Sequence, residues 1–196
     1  MGTNSGITIG SKAVILGQTG VTKSIEGGKT YFGTPIEESR SKLKELALLR
    51  KLPEIIEKFQ LGYSINNSND FTEAAIRKGY KLDYLAKVGV TKLKDDSHFD
   101  FFRGRVMFPI HSVSGRVLGF GGRTLGTDKK IAKYFNSPES IIYNKSQILY
   151  GLYFSKGDII KYDECFLCEG YTDVISMYQA GIQNVVSSSG TSLTKE

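Results

Sequence analysis

Residues 165–190 read CFLCEGYTDVISMYQAGIQNVVSSSG, two apolar runs on either side of an amphipathic stretch. The run CFLC predicts a strand, TDVISMYQA predicts a helix that ends at Gly181, and NVVSSSG predicts a second strand. Two strands joined through a helix are nearly always parallel and connected by a right-handed crossover. The stretch therefore predicts a β-α-β unit near the end of the chain.

Carboxylates lie where the first of these strands meets the helix. Glu169 follows the strand directly, and ligands of α/β sheets bind outside the carboxyl ends of parallel strands. A carboxylate there can coordinate Mg²⁺, although Glu169 could equally be a solvated turn residue. We expect Gly170 to allow a sharp turn, and Asp173 to be a helix-start residue favoured by the helix dipole.

The middle of the chain, residues 58–154, alternates short helical and strand patterns. Asn69-Asp70 precede FTEAAIRK and predict a capped helix that ends at Gly79, and KLDYLAKV predicts a second helix. The apolar runs RVMFPI and GRVLGF, joined by HSVSG, predict a β-hairpin. A further helix is predicted from Lys145 to Phe154.

Basic residues are concentrated in residues 99–145. The chain has a net charge of +6 and a pI near 9.2, which favours anionic partners, nucleic acid first. Aromatic residues alternate with the basic ones, as in surfaces that bind single strands by stacking. Core packing is the alternative for each phenylalanine, and a solvated loop is the alternative for the lysines. The aromatic residues are Phe101, Phe102, Phe108, Phe120, Tyr134, Phe135 and Tyr143.

Two cysteines, Cys165 and Cys168, have C-x-x-C spacing. Two ligands do not make a structural zinc site, and both histidines are far away in sequence, so no zinc is expected. A redox pair is conceivable, but the apolar context predicts buried structural thiols. No secretory signal or run of 18 apolar residues is present, which predicts a cytoplasmic protein that does not bind membranes.

Residues 4–33 have a period of six, with aliphatic residues at Ile9, Ile15 and Val21. This period is typical of a left-handed parallel β-helix, although two ordinary strands with a glycine turn remain the alternative. A helical pattern then begins at Pro35, and Pro53 predicts a kink or a division into two helices.

Two segments resemble known families. Residues 5–57, with SGITIGSKAVILGQTGVTKSIEGGKTYFGTP followed by SRSKLKELALLRKLPE, resemble the C-terminal end of the lipid A biosynthesis UDP-glucosamine N-acyltransferases. That family forms β-helix trimers with a catalytic histidine. No histidine precedes His98, so no catalytic residue is carried over from it.

Residues 58–196 resemble bacterial DNA primase, which makes RNA primers for DNA replication. The segment EGYTDV resembles the first signature of the Toprim fold. The matching pieces are LGYS at 61–64, FRGRVMFPI at 102–110, GRVLGFGGR at 115–123, KYFNSPES at 133–140, LYGLY at 149–153 and EGYTDVISMYQAGIQNVVSSSGTSLT at 169–194.

The primase resemblance implies roles for particular residues. Glu169 matches the catalytic, metal-binding acid, which would use Mg²⁺ or Mn²⁺. The residues that match those holding template DNA and nucleotide are Arg105, Arg123, Lys133, Lys145 and Asn136. The implied partners are single-stranded DNA and nucleoside triphosphates. The family's zinc domain, second Asp-x-Asp cluster and helicase-interaction domain are not found in this sequence, so metal binding should be weak and activity absent in this chain alone.

The sequence thus predicts an α+β fold with a C-terminal partial Toprim β-α-β unit and, at the N-terminus, a short left-handed β-helix-like segment and a helix. The expected domains are 1–57, acyltransferase-like; 58–163, the primase N-terminal catalytic subdomain; and 164–196, a truncated Toprim subdomain. The chain is therefore interpreted as a chimera whose main part is a primase fragment. The alternatives are a non-catalytic nucleic-acid-binding module and a lipid A pathway acyltransferase fragment.

Overall fold

The computed structural model describes residues 6–95, 97–128 and 130–189. The chain divides into two compact units, Met1–Pro53 and Glu54–Glu196. The division lies inside one helix, because α1 spans Ser39–Phe59 and contains Pro53. This helix begins at Ser39, not at the predicted Pro35, because β3 (Glu37–Glu38) intervenes and pairs with the preceding strand.

The first unit is a coil of chain that pairs with itself one turn later. Strands β1 (Val14–Ile15) and β2 (Thr30–Phe32) are parallel, and a further parallel bridge joins Ile9 to Ile25. Each of these pairings joins positions 16 residues apart. A Cβ added at Gly10 would lie 2.1 Å from the backbone nitrogen of Gly27, so the two turns approach too closely for a side chain there. The small core contains Val21, Ile25, Tyr31 and Ile36.

The second unit is built on an antiparallel sheet. Within the described residues its order is β4 (Gly62–Ser64), β7 (Arg105–His111), β8 (Val117–Thr124) and β9 (Tyr134–Asn136). Strands β7 and β8 form the predicted hairpin, with a register shift between Ile110 and His111. The core beneath this sheet is aromatic and aliphatic. Its buried members are Ile55, Phe59, Phe108, Ile110, Tyr143, Tyr150, Tyr171, Val174 and Val185.

Two short helices and a hairpin lie between β4 and β7. They are α2 (Asp70–Arg77), α3 (Leu82–Lys87), β5 (Thr91–Lys94) and β6 (Ser97–Asp100), with β5 and β6 antiparallel.

The start of α2 differs from the sequence prediction. Asn69 occupies the cap position but makes no side-chain cap hydrogen bond. The buried carboxylate of Asp100, at the end of β6, instead accepts hydrogen bonds from the backbone N–H groups of Phe71 and Thr72 at 2.8 and 2.9 Å. The long-range cap satisfies donors that a helix start otherwise leaves open.

The helix predicted from Lys145 to Phe154 is wrong in its extent. Lys145–Gln147 form a single 3₁₀ turn, and α4 begins only at Leu152 and ends at Tyr162. Tyr150 interrupts the helical pattern because its backbone pairs with Ser187 in an antiparallel bridge. Gly151 follows with a φ of +88°, a left-handed conformation that favours glycine.

The last elements form the predicted β-α-β unit. Strand β10 (Phe166–Cys168) pairs in parallel with β11 (Val185–Ser187), and α5 (Tyr171–Gln179) connects them. Gly181, with a φ of +92°, follows the end of α5 as expected.

The prediction of buried thiols is wrong for Cys165. Its side chain is exposed, Cys168 is half-buried, and both are free cysteines. Phe166 and Leu167 are exposed as well, since among the described residues the β10–β11 sheet has only two strands and nothing covers this stretch of β10.

Candidate functional site

An open cavity of about 630 Å³ lies beside the carboxyl ends of β10 and β11. It brings together three of the six residues for which the primase resemblance implies a catalytic or binding role: Asn136, Lys145 and Glu169. The other lining residues are Tyr134, Phe135, Gly170, Tyr171, Thr172, Asp173 and Ser189. The position agrees with the general location of ligand sites in α/β sheets.

Glu169 is held at the rim by its backbone. Its carbonyl oxygen accepts a hydrogen bond of 2.7 Å from the Ser187 hydroxyl, and that hydroxyl also accepts one of 2.9 Å from the backbone N–H of Ser189. Ser187 is fully buried, so these bonds tie the ends of β10 and β11 together. The Glu169 side chain is exposed and available to a ligand.

Asp173 caps the start of α5. Its Oδ2 accepts a hydrogen bond of 3.0 Å from the Gly170 backbone N–H, which confirms the helix-start interpretation. The sharp turn expected at Gly170 is not found: its φ is −129°, and an added Cβ would make only ordinary contact with the Asp173 carboxylate. Glycine is therefore not required at this position by backbone conformation or by space.

Asn136, the last residue of β9, has both ends of its amide group hydrogen-bonded. Its Oδ1 accepts a bond of 2.6 Å from the Tyr171 hydroxyl, and its Nδ2 donates at 3.4 Å to the Ser189 carbonyl oxygen. Three separate elements, β9, α5 and the segment after β11, thus meet at one amide. The sequence did not single out Tyr171 for this role, because it lies just before the predicted helix and its partner Asn136 is 35 residues away along the chain.

Lys145 is positioned by the 3₁₀ turn that it begins. The Asn144 carboxamide oxygen accepts hydrogen bonds from the Ser146 backbone N–H and hydroxyl, at 3.1 and 2.8 Å. The Glu139 carboxylate accepts one of 2.9 Å from the Lys145 backbone N–H. The half-buried Lys145 side chain consequently brings a cation to the same cavity as the Glu169 carboxylate.

The other predicted basic residues do not line this cavity. Arg105 is only 4% exposed; its guanidinium lies 3.9 Å from the centre of the Phe135 ring and donates to the carbonyl oxygens of Gly122 and Lys133. Burial lowers the pKa of Arg105 from its ordinary value. Arg123 is half-buried over the Tyr134 ring, and Lys133 is exposed. Arg105 therefore has a packing role, whereas Lys133 is accessible to a nucleic acid.

Most of the aromatic residues considered for base stacking contact one another. Phe102 stacks on Phe135 with 5.0 Å between ring centroids, and Phe101 meets both rings edge-on. Phe102, Phe108 and Tyr143 are buried. Tyr134, 37% exposed, is the most exposed of those seven, although the Arg123 guanidinium lies over its ring.

A second cavity, of about 390 Å³, lies beside β4 and the start of α2 and is mainly apolar. Phe102 and Phe120 line it, but none of the residues predicted to bind metal, nucleotide or template phosphates does, so the polar cavity is the better candidate. In the part of the chain that the structure describes, no three His, Cys, Asp or Glu side chains form a group that could hold a metal ion.

Comparison with known proteins assigns the chain to a family. The N-terminal domain of the DNA primase catalytic core matches residues 34–156, more than half of the chain, and a Toprim-like domain matches residues 166–196. This chain belongs to the DNA primase catalytic core family.

Individual primases agree with this assignment. The chain is 43% identical over 178 residues to the DNA primase of Halalkalibacterium halodurans, an alignment that covers 90% of this chain and 27% of that protein. The RNA polymerase domain of Mycobacterium tuberculosis primase DnaG, solved with a double-stranded DNA bearing a 6-nucleotide overhang, is 35% identical, with a TM-score of 0.69 over 73% of this chain and 45% of that one. A DnaG primase catalytic domain bound to ssDNA is 40% identical, with a TM-score of 0.63 over 72% and 44%.

These matches change the interpretation of the N-terminus. The primase match begins at residue 34, inside the segment that resembles the acyltransferases. The alignment that covers 90% of the chain must extend further, into the first 33 residues. The comparisons thus give no support to an acyltransferase origin or to a chimera. The chain spans about a quarter of the length of the curated primases that it matches.

Proposed function

We propose that the polar cavity binds the triphosphate of an incoming nucleotide during template-directed primer synthesis. One observation carries this proposal: Asn136, Lys145 and Glu169, from three separate parts of the chain, line the same cavity. The Lys145 ammonium and the Asn136 amide supply donors for phosphate oxygens. The cavity also reaches the N-terminal residues of α5, where the helix dipole favours an anion.

A divalent cation completes this proposal. Mg²⁺ is commonly bound by one or two carboxylates together with substrate phosphates, and the exposed Glu169 carboxylate fits that mode. Asp173 is a poorer ligand because its carboxylate already caps α5. When bound, Mg²⁺ or Mn²⁺ would neutralise charge that develops on the reacting phosphate. Glu169 alone predicts weak metal binding that strengthens with nucleotide present.

Single-stranded DNA is the proposed template, with Lys133 and its exposed neighbour Lys130 contacting phosphates. Both side chains are exposed in the segment that leads into β9. Replacing both with Gln should weaken binding of a fluorescent single-stranded DNA. The negative slope of log affinity against log salt concentration should become shallower by about 1.4, because each lost phosphate contact reduces its magnitude by about 0.7. Fluorescence anisotropy at several salt concentrations measures both effects.

Lys23→Gln with Lys44→Gln is the matched control for this experiment, since these two lysines are exposed in the first unit and their loss changes the net charge equally. This control should keep the parental slope. Equal slopes for both double variants would refute a template contact at Lys130 and Lys133. Arg105 is unsuitable for such a test because its buried guanidinium packs within the fold.

Three further assignments belong to the same proposal: a cytoplasmic location, contact with a replicative helicase through another domain of the intact protein, and the domain limits at residues 57 and 163.

The β-helix interpretation of residues 4–33 is also kept as a proposal about fold. Its support is the parallel pairing of Ile9 with Ile25 and of β1 with β2.

A further inference from the structure

We infer that Tyr171 is a positioning residue that fixes the orientation of the Asn136 amide in the nucleotide cavity, an inference that rests on the proposed function. The Ser189 carbonyl oxygen can only accept hydrogen bonds, so the Asn136 group that faces it at 3.4 Å must be Nδ2. Oδ1 then faces the Tyr171 hydroxyl at 2.6 Å and needs a donor there.

The Tyr171 side chain is suited to this task because packing on several sides holds its ring in place. Its ring stacks on Phe108 with 5.3 Å between centroids and meets Tyr150 edge-on at 4.6 Å. A Cβ added at Gly121 of β8 would lie 2.4 Å from this ring, so the strand is packed directly against it. Burial raises the pKa of Tyr171 to about 12, so the hydroxyl keeps its proton at neutral pH and can donate it.

The fixed orientation has a consequence for the ligand. With Oδ1 directed to Tyr171, one N–H of Nδ2 is directed to Ser189 and the second remains to be offered to a ligand of the cavity that Asn136 lines. A donor beside the Lys145 ammonium suits a phosphate oxygen. The opposite orientation would present the carbonyl oxygen, which repels phosphate. The Ser189 carbonyl therefore selects the amide orientation that a triphosphate needs, and the Tyr171 hydroxyl holds it by donating to Oδ1.

Tyr150 provides a matched control. It is a buried tyrosine in contact with the Tyr171 ring, and within the described residues its hydroxyl has no hydrogen-bond partner. Tyr150→Phe and Tyr171→Phe each remove one buried hydroxyl from the same core, but only Tyr171→Phe removes a bond to Asn136.

The experiment compares the two variants in the 196-residue chain. Calorimetric titration with GTP and Mg²⁺ should show roughly fivefold or greater loss of affinity for Tyr171→Phe, the amount expected for one net hydrogen bond, and less than twofold for Tyr150→Phe. In an Asn136→Ala background, Tyr171→Phe should cause no further loss. Equal affinity of the two single variants, or an undiminished loss without Asn136, would overturn the inference.

A second readout does not depend on nucleotide binding. In nitrogen-15 spectra without nucleotide, the Asn136 side-chain amide protons should exchange with water faster in Tyr171→Phe than in the parent, and at the parental rate in Tyr150→Phe. Failure of the parent to bind GTP would refute the proposed function, while the exchange rates would still decide the role of Tyr171. Unchanged exchange in Tyr171→Phe would overturn it.

Discussion

Replacing Glu169 with Gln in a complete primase should reduce primer synthesis by roughly 100-fold or more. The substitution removes the negative carboxylate that would hold the metal ion beside the reacting phosphate, where negative charge develops. The change is nearly isosteric. The backbone carbonyl of residue 169, which accepts a hydrogen bond from the Ser187 hydroxyl, is retained. A suitable protein is the Halalkalibacterium halodurans primase in which this chain replaces the matched quarter. Counting labelled primers on a single-stranded template measures the effect.

Glu164→Gln is the matched control for this prediction. Glu164 is also exposed and precedes β10, but it does not line the cavity. This variant should synthesise primers at the parental rate. Full activity of the Glu169 variant, whatever the effect of the control, would show that Glu169 has no role in the reaction.

Replacing Asp100 with Ala should lower the free energy of unfolding of the second unit by about 3 kcal/mol, among the largest effects expected of a single substitution here. The carboxylate is 3% exposed and accepts hydrogen bonds from the Phe71 and Thr72 backbone and, at 2.6 Å, from the Thr72 hydroxyl. Without it, buried donors at the start of α2 lose their acceptor. Urea unfolding followed through the amide signals of α2 and β6 measures the loss.

Asp70→Ala separates this specific cap from a general effect of negative charge near the helix. Asp70 also lies in the first turn of α2, but its carboxylate bonds only the exposed Asn67 amide among the hydrogen bonds described. Its loss should cost under about 1 kcal/mol. Equal losses for Asp70→Ala and Asp100→Ala would contradict the long-range cap.

Local patterns predicted the elements whose signal lies within one segment. The β-α-β unit follows from two apolar runs and a helix stop at Gly181, and the β7–β8 hairpin from two apolar runs around a turn. Two of the errors arose where a distant residue decides the local structure. Asp100 replaces Asn69 as the cap of α2, and the bridge from Tyr150 to Ser187 shortens the predicted helix.

The site shows the same division between local and distant information. The resemblance to primases singled out Glu169, Lys145 and Asn136, which the structure places around one cavity. It also singled out Arg105, which is buried against Phe135. This burial depends on the packing of β7, β8 and β9 and cannot be predicted from the residues next to Arg105 in sequence. The hydroxyl of Tyr171 gained its role only when folding brought α5 beside the end of β9.

The location of the nucleotide is tested most directly by adding Mn²⁺ with GTP to the nitrogen-15-labelled chain and recording paramagnetic broadening. The account predicts that broadening concentrates at residues 134–136, at Lys145 and at 169–173, and that Glu169→Gln removes most of it. Broadening centred instead on the apolar cavity at residues 62–65, or spread evenly along the chain, would contradict it.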